Sequence, residues 1–332
     1  AILRQGLIYY NDNKPQLAIT KLKKVAADYP RTPEAMEAVT TARQIYVDTG
    51  NVSDYADWVK TLDFVEVTDA DLDNTSYESA EKQYLQNNAK GAIAGFSNYV
   101  SKFPNGIHAL NANFYLAQLY FADGLENNAI PNYEYVVSKP RSEFTEQSLA
   151  RLTEIHLKKK DYAKAIPALK RLETEADFPQ NITFAQSNLM KSYYEQKDYT
   201  NAVIYADKVG ANPKVDDRIK SDAQIIIARS AIKTNDEGKA KAAYAKLQLI
   251  AKGELAAEAL YYDAYFKNKE AKYEPSNVAI QKLTKDYSGY FEYDMKYSLS
   301  SHHVFRDDLS AMKYSVEFRY PYLSNRLIDY VS

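Results

Sequence analysis

The stretch GLIYYNDNKPQLAITKLKKVAADYP, Gly6 to Pro30, decides the fold. Its Gly6, Tyr9, Ala18, Leu22, Val25 and Pro30 stand at offsets 0, +3, +12, +16, +19 and +24. Spacings of three and four keep these side chains on one face of each of two successive helices. A small residue early in the second helix, here Ala18, lets two helix backbones approach closely. The large residue four positions later, Leu22, fills the gap to the next pair. Such a pair cannot bury its apolar face alone, so neighbouring pairs must stack.

The pattern repeats along the chain. It returns as Ala80, Gln83, Ala92, Phe96, Tyr99 and Pro104, then as Ala117, Tyr120, Ala129, Tyr133 and Val136. It continues as Thr153, His156, Ala165, Leu169 and Leu172, as Met190, Tyr193, Ala202, Ala206 and Val209, and as Ala228, Ala231, Ala240, Tyr244 and Leu247. Two weaker copies lie around Ala56 and Ser276. The small-residue markers recur every 36 to 38 residues, against roughly 34 for a tetratricopeptide repeat. The extra residues are expected in the turns between repeats, such as Pro30-Arg31-Thr32-Pro33 and Pro104-Asn105-Gly106. Short polar turns such as Lys158-Lys159-Lys160-Asp161 and Glu195-Gln196-Lys197-Asp198 join the helices within a pair.

Over residues 1–287 this small–Tyr–Ala–large–apolar–Pro skeleton resembles the tetratricopeptide-repeat (TPR) family. The resemblance implies an all-α superhelical solenoid of about eight TPR-like helix pairs with a short non-repeat C-terminal tail. It also implies a concave face lined by the first helix of each pair. The expected organisation is two repeats over 1–62, an irregular acidic connector over 63–75, six repeats over 76–287 and a tail over 288–332. Thr75-Ser76-Tyr77-Glu78 has the capping-box pattern that would open the helix after the connector.

Composition agrees with long helices and excludes several chemistries. Gly numbers 10 and Pro 11 in 332 residues, so helix breakers are scarce. There is no Cys, hence no disulfide, thiolate metal site or cysteine nucleophile. With 42 Lys+Arg and 44 Asp+Glu the net charge is −2, which gives no electrostatic case for nucleic acid or an anionic membrane. No apolar run reaches the ~18 residues of a membrane span. The N-terminus reads as the middle of a helix and so as a fragment or a processed chain.

Asp69, Asp71 and Asp73 have calcium-loop spacing, but Asn74 and Ala80 occupy the positions where that loop needs Gly and Glu. They read as a solvated acidic linker. His156 stands where other repeats carry Tyr120 or Tyr193 and reads as a packing residue. His302 and His303 are adjacent and lack a third ligand. No nucleotide-loop, zinc-protease or nucleophile-elbow motif occurs. No catalytic, cofactor-binding or metal residue is therefore expected, and no cofactor or small-molecule substrate.

Tyr is abundant, 30 residues against 12 Phe and one Trp. Most Tyr fall at core positions of the repeats. On the face that the resemblance makes concave stand Tyr77, Tyr84, Phe114, Gln118, Phe121, Glu154, Lys191, Tyr194 and Arg229. These are the expected partner-binding residues, since Tyr is a favoured interface anchor. Asn111, Gln118, Glu154, Lys191 and Arg229 do not reproduce the basic clamp with which some TPR domains grip a chaperone's terminal carboxylate. The expected partner is a protein or peptide, and nucleic acid is not expected. The Tyr-rich helices and the turns Lys160-Asp161-Tyr162 and Lys197-Asp198-Tyr199 are similar to those of bacterial, Bacteroidetes-like envelope TPR proteins. That likeness implies a periplasmic or cell-envelope location, with the cytoplasm as the alternative.

The tail bears a second resemblance. Asp308, Met312, Ser315, Glu317, Arg319, Pro321 and Leu323 match a C-terminal segment of glutamine-dependent asparagine synthetases, while Leu309, Ala311, Lys313 and Ser324 depart from it. The S-G-G-x-D-S loop on which that family activates aspartate with ATP is absent. The tail is thus either a cap on the last repeat or a fused or remodelled remnant. The competing function is a catalytically incomplete relative of an ATP-dependent amidotransferase.

Overall fold

The computed structural model describes residues 1–286. Among them lie sixteen α-helices and no strand. The chain divides into two compact units, Ala1–Lys158 and a second that begins at Lys159. The first holds α1 (Ile2–Asn11), α2 (Pro15–Asp28), α3 (Pro33–Thr49), α4 (Val52–Val59), α5 (Asp69–Leu85), α6 (Ala89–Lys102), α7 (Ala109–Ala122), α8 (Glu126–Ser138) and α9 (Thr145–Lys158). The second holds α10 (Tyr162–Glu175), α11 (Pro179–Glu195), α12 (Tyr199–Ala211), α13 (Asp217–Lys233), α14 (Glu237–Ile250), α15 (Gly253–Lys269) and α16 (Tyr273–Asp286). Within each unit, helices consecutive in sequence pack on one another, as expected for stacked helix pairs.

The turn inside each pair is built one way throughout. One residue takes a left-handed backbone: Asn13, Gly50, Asn87, Gly124, Lys160, Lys197, Asn235 and Ala271, with φ between 55° and 77°. Within each unit that residue reverses the chain after the first helix and the next residue precedes the second, while Lys160, at the start of the second unit, has the same left-handed backbone. Asn88, Asp161, Asp198 and Asp236 each accept a hydrogen bond from the backbone N–H three residues on, which satisfies a donor the helix leaves unpaired. The Lys-Asp-Tyr turns are thus a left-handed Lys, an N-cap Asp and the first helical residue.

The even helices carry the core columns. Ala18, Ala92, Ala129, Ala165, Ala202, Ala240 and Ser276 are fully buried. So are the residues four and seven positions on, from Leu22 and Val25 in α2 to Ile280 and Leu283 in α16. The pair closed by α4 is the exception. There Val52, Tyr55 and Val59 are buried while Ala56 is only partly so, so Tyr55 holds the close-packed position.

The expected connector is shorter than its 63–75 reading. Helix α5 starts at Asp69, and its capping box is Thr68–Asp71, not Thr75–Glu78. The Asp71 N–H donates to Thr68 Oγ1 at 3.1 Å, and the Thr68 N–H donates to Asp71 Oδ2 at 2.9 Å. Thr75 is buried inside the helix, where it accepts from Arg43 Nε at 3.0 Å. The second and third pairs pack directly on one another. Ser79 Oγ donates to Val47 O at 3.0 Å and Gln83 Nε2 to Asp48 O at 3.2 Å, tying α5 to α3.

Asp69 opens α5, and Asp71 and Asp73 have separate structural roles. Asp71 is the third helical residue of the capping box, whereas Asp73 is buried and accepts from Tyr99 Oη at 2.5 Å and from the Ile107 N–H at 3.0 Å. Tyr99 Oη in turn accepts from the His108 N–H at 3.1 Å. This node fixes the entry to α7. A Cβ on Gly106 would meet Asp73 Oδ2 at 2.4 Å and Tyr99 Oη at 2.5 Å, so only glycine fits there. His156 is buried, as its repeat position requires. The tail over 288–332, with His302, His303, Glu317 and Arg319, lies outside the described residues.

Candidate interaction face

The expected partner-binding residues fall on the odd helices of both units. Tyr77 and Tyr84 lie on α5, Phe114, Gln118 and Phe121 on α7, and Glu154 on α9. Lys191 and Tyr194 lie on α11 and Arg229 on α13, in the second unit. Residues spaced by three, four or seven share a helix face, so 77, 81 and 84 form one column and 114, 118 and 121 another.

Two of the aromatics are core residues, contrary to their reading as exposed. Tyr77 is buried, stacked on the His108 ring at 4.2 Å and edge-on to Tyr99 at 5.8 Å. Its hydroxyl donates to Glu81 Oε1 at 2.9 Å. Burial, with the Glu81 hydrogen bond second, raises its phenol above the ordinary range. Phe114 is buried because Phe144, from the turn before α9, stacks on it at 4.3 Å. In each case a ring contributed across the following turn covers the face.

The charged candidates are engaged within the chain. Lys191 Nζ lies 2.6 Å from Asp222 Oδ2, and Arg229 reaches both oxygens of Glu258 at 3.0 and 2.5 Å. These pairs link α11 to α13 and α13 to α15. Glu154 pairs with Arg151 at 2.9 Å, and the Arg151 guanidinium lies over the Phe121 ring, 4.6 Å from its centre. Tyr194, half-buried, meets Tyr199 edge-on at 5.8 Å, and burial raises its phenol. Gln118 is half-buried, and its Nε2 has no hydrogen-bond partner among the described residues.

Tyr84 is likewise half-buried, and its ring belongs to a larger aromatic cluster. Its ring packs at 4.9 Å on Tyr115, which in turn meets Phe96 at 5.8 Å, Phe114 at 5.6 Å and Phe144 at 6.1 Å. Tyr84, Tyr115 and Phe144 are each half-buried. Together they form an aromatic wall that crosses α5, α7 and the turn before α9, all within the first unit. Tyr115 and Phe144 were missing from the sequence reading. Tyr115 sits one position off the column chosen on α7, and Phe144 belongs to a turn. An aromatic inside the polar run Arg141-Ser142-Glu143-Phe144 was the available signal.

Among the described residues no cluster of His, Asp and Glu has the makings of a metal site, and no helix is long and apolar enough to cross a membrane. Residues 1–32 match the family model of the tetratricopeptide repeat, and residues 198–332 match that of asparagine synthase. The described part of the latter match is made up of helices α12 to α16 and their turns. No curated protein matches the chain. Among solved structures, the chain is similar to the C-terminal part of a TPR repeat-containing protein from Cytophaga hutchinsonii. That pair shares 17% identity over 85% of this chain and 94% of the other, with a TM-score of 0.44. It is similar also to PilW, described as a widely conserved type IV pilus biogenesis factor, at 15% identity over 70% and 98% with a TM-score of 0.36. A third is human IFIT1, solved as a dimer with m7Gppp-AAAA, at 12% identity over 84% and 75% with a TM-score of 0.33. In its family-model match over residues 1–32 and its succession of helix pairs, the chain resembles the TPR family.

Proposed function

We propose that this chain is a non-catalytic scaffold that holds a protein or peptide partner on the odd-helix face of its first unit. The observation that carries the reading is the half-open wall of Tyr84, Tyr115 and Phe144. Partly exposed Tyr rings on two helices, joined by a Phe ring from a turn, give a partner large contact area at small entropic cost. The helix-pair stack supports such a role because it presents consecutive odd helices side by side. Buried Tyr77 and Phe114 are the floor of the face rather than its contacts. Lys191 and Arg229 serve the stack of the second unit. We extend the proposal to the bacterial envelope on the likeness of the Lys-Asp-Tyr turns, and to the exclusion of nucleic acid on the net charge of −2. The test is a Tyr84→Ser/Tyr115→Ser variant of the full chain. It is expected to keep its helical circular dichroism and to lose capture of the partner retained by the parent chain. Capture at parental strength would move the site elsewhere.

The asparagine synthase match over 198–332 favours a second reading, a relative of an ATP-dependent amidotransferase. Calorimetry of the full chain with ATP separates the two. The scaffold reading expects no heat of binding, and micromolar ATP binding would replace it with the enzyme reading.

A further inference from the structure

The aromatic wall is edged by carboxylates. Glu81 stands one turn before Tyr84 on α5, and its only hydrogen bond among the described residues comes from Tyr77 Oη. Glu143 directly precedes Phe144, is exposed, and makes no ion pair among the described residues. Burial raises the Tyr115 phenol above its ordinary value, and Glu81, Tyr84 and Glu143 add to that rise. Elsewhere in the first unit the chain sets its own cations over three part-exposed rings. Lys23 lies 5.2 Å from the Trp58 ring centre, Lys139 4.4 Å from that of Tyr135, and Arg151 4.6 Å from that of Phe121. No Lys or Arg among the described residues stands over Tyr84, Tyr115 or Phe144. A π-face flanked by anionic groups and lacking an internal cation is complementary to a cation from outside.

We propose that the Tyr84–Tyr115–Phe144 wall, with Glu81 and Glu143 at its edge, docks a partner segment that presents a Lys or Arg side chain. This inference rests on the interaction-face reading above and names the chemistry of its partner. The cationic head lies against the rings and between the two carboxylates, and its aliphatic stem covers the apolar ring surface. The tyrosine hydroxyls are left to meet the backbone of the segment.

The probe is a fluorescent peptide of Gly-Ser-Lys repeats, titrated against the full chain by anisotropy. Its Nε-acetylated form and a Gly-Ser-Glu counterpart are run beside it. The Lys peptide is expected to bind and to weaken as salt rises, while the acetylated and Glu peptides bind far less. Glu81→Gln/Glu143→Gln is expected to cost about tenfold in affinity, the scale of one cation–π contact and two exposed charge contacts. Glu34→Gln/Glu37→Gln, which removes two exposed charges from α3, is expected to leave binding unchanged. Circular dichroism and the thermal midpoint check that each variant folds. Equal binding of the Lys and acetylated peptides, or parental binding by Glu81→Gln/Glu143→Gln, would overturn the cation assignment. If the captured partner is lost in Tyr84→Ser/Tyr115→Ser but kept in Glu81→Gln/Glu143→Gln, the face stands and the cation chemistry falls. If the Lys peptide binds regardless of Tyr84 and Tyr115, both fall.

Discussion

Removing one oxygen atom should have opposite effects at Tyr99 and Tyr133. Both side chains are fully buried on even helices of the first unit. The Tyr99 hydroxyl donates to the buried Asp73 carboxylate at 2.5 Å and accepts from the His108 N–H at 3.1 Å. Tyr99→Phe therefore strips a partner from a buried carboxylate and orphans a backbone donor. A hydrogen bond to a charged group contributes about 1.5–3 kcal/mol and a neutral one about 0.5–1.5. The Ile107 N–H still serves the other Asp73 oxygen, so a loss of roughly 2–4 kcal/mol is expected. The Tyr133 hydroxyl is buried without a hydrogen-bond partner among the described residues. An unmet buried hydroxyl costs about 1–3 kcal/mol, so Tyr133→Phe should stabilise by about 1 kcal/mol once slightly poorer packing is allowed for. For a unit of 158 residues, about 2–4 °C per kcal/mol puts Tyr99→Phe roughly 5–15 °C below the parent and Tyr133→Phe slightly above it. Urea titrations followed by far-UV circular dichroism, with the slope compared between variants, give the free energies. Stability in a stacked array is a sum of local terms, so the change should appear in the transition of the first unit. A Tyr133→Phe loss as large as that of Tyr99→Phe, or a neutral Tyr99→Phe, would refute the assignment of the two hydroxyls.

The close-packed positions should tolerate no growth: Ala165→Leu and Ala202→Leu, both at fully buried sites, should each cost roughly 1–3 kcal/mol by overpacking, read from thermal midpoints. The left-handed turn residues should improve as glycine. Lys160→Gly and Lys197→Gly, at φ 55° and 62°, should each stabilise by about 1 kcal/mol in the same melts, since a Cβ in that region costs roughly 1–2. Stability of the first unit should fall in acid through Asp48. Burial pushes its carboxyl up, but hydrogen bonds from Lys82, Tyr10 and Gln44 hold it below the usual carboxylate range. Its contribution is therefore complete above an unfolded pKa of about 3.9 and is lost as pH falls below that. Asp48→Asn should flatten this part of the pH–stability curve measured by urea titration.

The helix pairs were legible because stacking imposes itself on the sequence. A close approach needs a small residue at the marker, and a large side chain stands four positions later in the buried columns except that of α12, where Ala206 takes the place. The start of α5 was not legible in the same way. Thr68-x-x-Asp71 and Thr75-x-x-Glu78 both fit a capping box, and only the burial of Leu72, Asp73 and Thr75 inside the fold selects the first. The face was legible in its helices but not in its exposed atoms. Helical periodicity says which way Tyr77 and Phe114 point, but not that His108 and Phe144 arrive from a following turn to cover them. The roles of Lys191 and Arg229 depend on Asp222 and Glu258, which approach only when successive odd helices stack. The open wall is not legible for the same reason, since Tyr84, Tyr115 and Phe144 are joined by tertiary contact alone.

The most direct measurement is photo-crosslinking of the full chain with p-benzoylphenylalanine at position 84, or at position 249 on α14. Leu249 is 85% exposed and belongs to no aromatic wall, so it reports non-specific encounter. With the partner present, a discrete adduct from position 84, abolished by Tyr115→Ser and absent from position 249, is the expected result. Adducts of equal yield from both positions, or from position 249 alone, would contradict a partner site on the odd-helix face of the first unit.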